Sequence, residues 1–189
     1  IKGPIGPVTA MQIENALEEA VAEDAEALIV QMDTPGGLVS TTHEITQQIL
    51  NANVPVVTYV APSGASATSA GVFILVSGHI AAMAPGTNAG AAHPVTLQGE
   101  MDSVMSGKAT NDAAAYIRSI AEKRGRNKQW AVKAVRESIS SSETEALSQK
   151  VVNLVAADLR ALLASVDGTV VETASGRKKL ATKDAAVKN

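Results

Sequence analysis

The chain contains no Asp, Glu, Lys or Arg between Glu44 and Glu100. With 19% charged residues overall, about ten charges would be expected in a stretch of that length. Such a segment lies in the protein interior, against a partner or in a membrane. Its most apolar part, residues 70–76, is interrupted by Ser77, Gly78 and His79, and a membrane-spanning helix needs about 20 apolar residues. We therefore predict a buried helix next to an interface.

The composition excludes several classes of function. At 189 residues the chain fits one globular domain. A net charge of -3 and only 2% aromatic residues argue against nucleic-acid binding. The absence of cysteine excludes disulfides, thiolate nucleophiles and cysteine-bound metals. His43, His79 and His93 are far apart and lack metal-ligand spacing, so neither a metal nor another cofactor is expected.

Short apolar runs alternate with segments of helical periodicity, which predicts an α/β fold with a mainly parallel sheet. A capping box of Thr9 and Gln12 begins the first helix, and Ser142 with Glu145 begins a later one. A polar, Gly-rich segment at residues 96–106 is predicted to be a mobile loop. The predicted helices are 9–23, 39–51, 67–76, 110–124, 127–138, one from 142 and 158–166, and the predicted strands are 27–32, 54–60, 80–83, 151–156 and a hairpin within 169–182.

Two predicted strand-to-helix turns carry possible chemistry. Because parallel strands end at one edge of a sheet, Asp33-Thr34-Pro35-Gly36-Gly37 and Ala67-Thr68-Ser69-Ala70-Gly71 should face each other. The first turn is either a tight glycine turn or an oxyanion hole. Ser69 is either a helix cap or a nucleophile.

A nucleophilic serine requires a base. His79 and His93 are the candidates near in sequence, and Lys108 is more distant. Lys108 is either a solvated loop lysine or a residue carried into an apolar cleft, where desolvation would favour the neutral amine that accepts a proton.

Five short motifs occur in order along the chain: Gly3-Pro4-Ile5-Gly6-Pro7, Asp33-Thr34-Pro35-Gly36-Gly37, Ala67-Thr68-Ser69-Ala70-Gly71, Met83-Ala84-Pro85-Gly86-Thr87-Asn88 and Lys108-Ala109-Thr110-Asn111. Together they resemble the N-terminal protease domain of long-form NfeD proteins, which are membrane-bound serine proteases of the ClpP class. The resemblance covers residues 1–168. It implies a ClpP/crotonase-like fold, in which β-β-α units repeat around a mainly parallel sheet.

The resemblance also implies roles for individual residues. Ser69 would be the nucleophile, Lys108 the general base of a Ser-Lys dyad, and the amides of Gly37 and Ala70 the oxyanion hole. Pro35, Gly36 and His93 are candidates for substrate contact.

His93 is in addition an alternative base, because ClpP itself has a histidine at a similar position after its serine. The segment Lys150-Val151-Val152-Asn153 departs from the family, which has Gly and Asp at this step.

The implied function is an endopeptidase that cleaves hydrophobic segments, notably the C-terminal region of a partner stomatin-like membrane protein. The apolar surroundings of Ser69 and the methionines Met101 and Met105 favour an apolar peptide. Two rivals stay open. A crotonase-like acyl-CoA enzyme would need carboxylates and a nucleotide pocket, and a non-catalytic scaffold would bind the hydrophobic tail without cutting it.

The organisation expected of the whole protein follows from the resemblance. Residues 1–168 would form the protease domain, and residues 169–189 a C-terminal hairpin and tail. The resemblance implies a homodimer, and the net charge and low aromatic content predict that it does not bind nucleic acid. Membrane segments outside this chain would anchor it, with this domain on the extracytoplasmic side.

Overall fold

The computed structural model describes residues 1–95 and 103–188. The helices are α1 Pro7–Ala22, α2 Val39–Leu50, α3 Ala70–Ser77, α4 Ser103–Lys123, α5 Lys128–Arg136, α6 Glu143–Ser148 and α7 Leu159–Val166. The strands are β1 Leu28–Met32, β2 Val56–Val60, β3 Ser66–Thr68, β4 Ile80–Met83, β5 Asn88–Gly90, β6 Ser140–Ser142, β7 Leu154–Val155, β8 Val170–Thr173 and β9 Gly176–Lys179.

A parallel sheet of four strands, in the order β1-β2-β4-β7, forms the centre of the molecule. Successive side chains of a strand point to opposite faces, so β2 contributes to two cores. Val56 and Val60 pack into the core beneath the larger helices, whereas Val57 and Tyr59 pack on the other face. The buried Tyr59 hydroxyl donates to the Ala156 carbonyl at 2.8 Å. The sheet is therefore covered on both faces, as parallel sheets require.

A smaller sheet, β3-β5-β6, follows the ends of the central strands. β3 and β5 pair in parallel, and β6 joins β5 antiparallel. Each of the units β2-β3-α3 and β4-β5-α4 thus consists of a central strand, a short strand in the second sheet and a helix. The predicted repetition of β-β-α units around a mainly parallel sheet is confirmed.

The described part of the charge-free segment lies mainly in the interior. Every residue of α3, β2 and β4 is buried. Helix α3 is apolar on all sides because it packs between the sheet and neighbouring helices. Within the described residues, no helix combines the length and the hydropathy that crossing a bilayer requires.

Several predicted boundaries are wrong, and some strands were not predicted. The first helix begins after Gly6, and Thr9 is the third helical residue, whose hydroxyl accepts from the Gly6 amide at 3.2 Å. The predicted helix 67–76 begins only at Ala70, because Ala67 and Thr68 extend β3 beside β5. Strands β5 and β6 were not predicted, since three-residue strands rich in Gly, Ser and Asn have no apolar alternation.

The predicted loop at residues 96–106 lies partly outside the described residues, which resume at 103. Residues 103–106 form the first turn of α4 and are not a loop. The Thr110 hydroxyl donates to the Ser106 carbonyl at 2.9 Å in this helix. Met105, Ala109, Ala113 and Tyr116 recur at helical spacing, a pattern that the polar composition concealed.

The predicted C-terminal hairpin is present as β8 and β9. It packs with α7 on the outer face of the sheet, where Leu180 and Leu162 are buried. The Ala174 amide donates to Ala52 at 3.0 Å, which ties the hairpin to the end of α2. The domain boundary at residue 168 stays a prediction.

Residues 150–153, where the sequence departs from the Gly and Asp of the family, have a structural explanation. Lys150 adopts a left-handed backbone with φ +59, the conformation that glycine would adopt there at lower cost. The Asn153 Oδ1 accepts from the Ala81 amide at 2.8 Å and from Arg126 at 2.9 Å. Asn153 therefore joins β7 to β4 and holds a buried arginine.

His79, at the start of β4, lies beside two arginines that bond to main-chain carbonyls. Its Nδ1 accepts from the Val56 amide at 3.1 Å. Burial, reinforced by the positive charges of Arg124 and Arg126, lowers the pKa of His79 from 6.5 to about 4. The folded protein therefore keeps this imidazole neutral at pH values where the unfolded chain protonates it.

This difference predicts a pH-dependent loss of stability. As the pH falls from 6.5 to about 4, the unfolded chain takes up a proton at residue 79 and the folded chain does not, so the free energy of unfolding decreases. Urea unfolding across this range should show a steeper loss for the wild type than for His79→Gln. Parallel curves for the two proteins would contradict the assignment.

Candidate active site

Ser69 connects β3 to α3 in a backbone conformation that serine rarely adopts. Its φ is 54° and its ψ is -116°. It occupies the position before the first helical residue, but its side chain makes no capping hydrogen bond. Its amide donates to the Gly90 carbonyl at 3.1 Å. The helix-cap interpretation therefore does not explain this serine, whose half-buried hydroxyl is left to face a cavity.

The turn at residues 33–37 runs beside β3, so the two glycine-containing turns do face each other. The Thr34 amide donates to Ser66 at 2.8 Å, and the Thr68 amide donates to Thr34 at 3.0 Å. The Asp33 carboxylate accepts from the Ser66 amide at 3.1 Å. These bonds form a parallel bridge between Thr34 and Ala67, which fixes the first turn next to Ser69.

Both glycines of that turn make close approaches that no side chain could make. A Cβ on Gly36, whose φ is +119, would lie 2.7 Å from the Ser69 Cβ. A Cβ on Gly37 would lie 2.1 Å from the Ile5 carbonyl oxygen. The turn therefore requires glycine at 36 to accommodate the serine and at 37 to accommodate the N-terminal segment.

A cavity of about 140 Å³ opens at Ser69. The amides of Gly37 and Ala70 belong to residues that line it, and neither amide donates a hydrogen bond to any residue among 1–95 and 103–188. The cavity walls are mostly apolar, and the lining residues are Gly37, Val39, Thr42, His43, Ser69, Ala70, Phe73, Ala92, Pro94, Ala109, Asp112 and Ala113. A hydroxyl and two free amides thus share one partly enclosed, apolar space, which suits an oxyanion.

Lys108 was predicted to lie at the end of a loop. It lies in the second turn of α4, because this helix begins at Ser103. Its side chain is exposed, whereas the next residue, Ala109, lines the cavity. Among the described residues, no hydrogen bond joins its ammonium to the Ser69 hydroxyl. The structure therefore places Lys108 next to a cavity-lining residue and does not show the predicted contact with Ser69.

The other predicted site residues, Pro35, Gly36 and His93, are not among the residues that line the cavity. Pro35 is exposed and Gly36 is buried in the turn itself. The His93 Nδ1 lies 3.0 Å from the Val135 carbonyl, which can only accept, so Nδ1 is the donor of this hydrogen bond, and no residue in the described part of the chain bonds to Nε2. His93 does not line the cavity, although Ala92 and Pro94 do.

His79 lies at the opposite end of α3 from Ser69. The eight residues of that helix separate the two by about 12 Å at 1.5 Å per residue. Its Nδ1 is occupied by the Val56 amide. The structure therefore excludes His79 as the base for Ser69.

Part of the cavity wall was not predicted. His43 from α2 and Phe73 from α3 line it, and both rings contact Tyr116 of α4. Asp112, one turn after Lys108, adds a carboxylate to the wall. The one available signal was the helical spacing of Ala109, Asp112, Ala113 and Tyr116, of which only Ala109 lies outside the predicted helix 110–124. Among the described residues, no group of His, Cys, Asp and Glu could hold a metal.

A larger groove of about 460 Å³ lies between α1 and the end of α2. Glu14 and Glu18 flank it, and Leu17 and Val21 contribute its apolar surface. It contains no nucleophile with a strained backbone and no opposing glycine turn. We therefore assign the chemistry to the smaller cavity at Ser69.

Comparison with known proteins is consistent with this assignment. The chain is 39% identical over 170 residues to Membrane-bound protease PH1510 of Pyrococcus horikoshii, a match covering 89% of this chain. It covers only 38% of the relative's length.

Two solved structures of the 1510-N membrane-bound stomatin-specific protease superpose on all of this chain with a TM-score of 0.91. One is a lysine-to-alanine mutant with a substrate peptide, 34% identical, of which 88% is covered. The other is a serine-to-alanine mutant, 35% identical, of which 93% is covered.

These structural matches show that the fold is that of a ClpP-like protease domain, as the resemblance implied. The sequence also matches the family of NfeD1b N-terminal domains over residues 1–189. With 39% identity to a relative over 89% of this chain and a family match along residues 1–189, this protein belongs to the NfeD1b N-terminal domain family.

Proposed function

We propose that this chain is a serine endopeptidase domain in which Ser69 is the nucleophile and Lys108 the general base. One observation carries the proposal: the strained Ser69 shares a small apolar cavity with the free amides of Gly37 and Ala70. A hydroxyl aimed at a carbonyl carbon, beside donors aimed at the carbonyl oxygen, is the arrangement that acyl transfer requires.

In the proposed reaction the neutral amine of Lys108 takes the Ser69 proton while Oγ attacks the peptide carbonyl. The amides of Gly37 and Ala70 hold the resulting oxyanion. Protonated Lys108 then gives its proton to the leaving amine, and water hydrolyses the acyl-enzyme. No metal or other cofactor takes part in this scheme.

Lys108 is exposed in the structure, so its amine must move towards Ser69 for this chemistry to occur. Catalytic hydrogen bonds often form only when substrate is bound, so an open arrangement is compatible with the role. The relatives support it: their mutants replace one serine and one lysine about forty positions apart, the separation of Ser69 and Lys108 here.

The substrate we propose is an apolar peptide segment. The cavity is lined by Ala, Val, Phe and Pro side chains, and exposed Val39, Val95 and Met105 lie on segments around its mouth. Met101 lies outside the described residues. The relatives are called stomatin-specific, and we propose a stomatin-like membrane protein as the partner that is cut, in its C-terminal region.

The remaining proposals concern the whole protein. We propose that the protein is anchored in a membrane by segments outside this chain, with this domain on the extracytoplasmic side, and that it acts as a homodimer. The relative's name, a membrane-bound protease, supports the anchoring. We also propose that residues 1–168 form the catalytic unit, with the hairpin as an addition to its outer face.

A second candidate is a scaffold that binds the apolar tail without cleaving it, and the exposure of Lys108 favours it. A third is a peptidase that uses His93, whose free Nε2 could act as a base. A crotonase-like acyl-CoA enzyme gains no support, since the cavity wall has a single carboxylate and no cluster of basic residues.

Substitution of the proposed dyad should separate these functions. Cleavage of a short apolar peptide, followed by mass spectrometry, should fall by at least about 10³-fold in Ser69→Ala and Lys108→Ala. A small primary amine added to Lys108→Ala should restore part of the rate, while His93→Ala should stay active. Cleavage that persists in Ser69→Ala, or is lost only in His93→Ala, would contradict the dyad.

The glycine that accommodates Ser69 offers a matched test. Gly36→Ala places a methyl group 2.7 Å from the Ser69 Cβ, whereas Gly64→Ala, also at positive φ, meets no atom within 4 Å. Both should lose stability, of order 1 kcal/mol, from backbone strain, and Gly36→Ala should lose more because its methyl group also meets Ser69. Only Gly36→Ala should reduce peptide cleavage by about 100-fold, because a displacement near 1 Å has that effect. Equal activity of the two variants would contradict the proposed geometry.

A further inference from the structure

Tyr116 is held between side chains from two other helices. Its ring stacks on His43 of α2, with ring centroids 4.1 Å apart and planes 28° apart. On α3, the centroid of the Phe73 ring lies 6.1 Å from that of the Tyr116 ring, and the two ring planes are 23° apart. The Tyr116 hydroxyl forms a short hydrogen bond with the Thr46 hydroxyl of α2. One residue of α4 thus contacts both helices that lead away from the cavity.

Each of these three helices carries one part of the proposed site. Helix α2 begins two residues after Gly37, and α3 begins directly after Ser69. Helix α4 carries Lys108. Tyr116 therefore joins the helix of the base to the helices of the oxyanion turn and of the nucleophile.

After Lys108, Tyr116 is the first large side chain along α4 that can anchor the helix. The intervening residues are small or short: Ala109, Thr110, Asn111, Asp112, Ala113, Ala114 and Ala115. Asn111 accepts from Arg136 at 3.0 Å, but this contact is exposed to solvent. Lys108 stands about 12 Å before Tyr116 along the helix at 1.5 Å per residue, so a small rotation of α4 at Tyr116 would move it away from Ser69.

The hydroxyl bond has a defined direction. The Thr46 hydroxyl lies 2.9 Å from the carbonyls of both Thr42 and His43, which can only accept. Since its single proton points to them, the Tyr116 hydroxyl is the donor to Thr46. The ring contacts set the distance between the helices, and this bond adds a directional constraint on α4.

We propose that Tyr116 is a positioning residue that aligns Lys108 with Ser69 through helix α4. This inference rests on the proposed function, because it acts only through Lys108. Tyr116 does not line the cavity, so we expect it to act on the rate rather than on substrate binding.

The first test compares kcat and KM for peptide cleavage. Tyr116→Ala should lower kcat by about 10- to 100-fold and change KM by less than about threefold. Tyr116→Phe, which keeps the ring between His43 and Phe73, should recover most of the rate. Should the alanine variant fail to fold, Tyr116→Leu keeps an apolar side chain without the aromatic stack and should show the same loss.

A double-mutant cycle gives the decisive readout. In the Lys108→Ala background, the Tyr116 substitution should lower the residual rate by less than about twofold, because the group that it positions is gone. A loss as large as that in the wild-type background would overturn the proposal. So would an effect confined to KM, or a Tyr116→Leu variant as active as the wild type.

The control is Ile120→Val, one turn further along α4, where Ile120 is 1% exposed and is not part of the aromatic stack. It should lower the melting temperature slightly and leave kcat unchanged. If it lowers kcat as much as the Tyr116 variants, the effect is loss of stability and the proposal fails. If Lys108→Ala itself keeps full activity, the proposed function has failed, and this outcome is separate from a failed cycle.

Discussion

The strained backbone at Ser69 is the constraint on which the site depends. A non-glycine residue at φ 54° and ψ -116° costs roughly 1 to 3 kcal/mol and persists only where its surroundings fix it. Here the Gly90 carbonyl holds the Ser69 amide, and the bridge from Thr34 to Ala67 holds the preceding strand. The bend exposes the hydroxyl at the start of α3 and aims it into the cavity. The small second sheet therefore serves to position one side chain.

The segment without charges follows from the same requirement. β2, α3 and β4 are completely buried, so the proposed nucleophile lies at the end of a helix that solvent does not reach. Close approach of the turns also needs small residues: the Thr34 methyl would lie 2.7 Å from a Cβ at Gly71, in the first turn of α3. The buried, apolar elements beneath the cavity hold Ser69 and the two amides in place. Lys108, in contrast, lies on a helix whose first residues are exposed.

Much of this arrangement could be predicted from the sequence. Apolar runs predicted the central strands, and glycine-rich turns predicted the meeting of residues 33–37 with Ser69. The prediction failed where tertiary contacts override local pattern. β5 has no apolar alternation and exists because β3 and β6 pair with it. Residues 103–106 seemed to be a loop because they end the polar, Gly-rich segment 96–106. The aromatic contact was missed for another reason: Tyr116 lay in a predicted helix, but nothing local indicated that its ring would stack on His43 of α2. The assignment of Lys108 came from the family resemblance alone.

The most direct measurement is the site of reaction with a fluorophosphonate, which loses fluoride when a nucleophilic serine oxygen attacks its phosphorus. The labelled protein would be digested and the modified residue identified by peptide mass spectrometry. We expect one adduct, on Ser69, and we expect a competing apolar peptide to prevent it. A protein that stays unlabelled, or carries the adduct on another serine, would contradict the claim that the strained serine is an activated nucleophile.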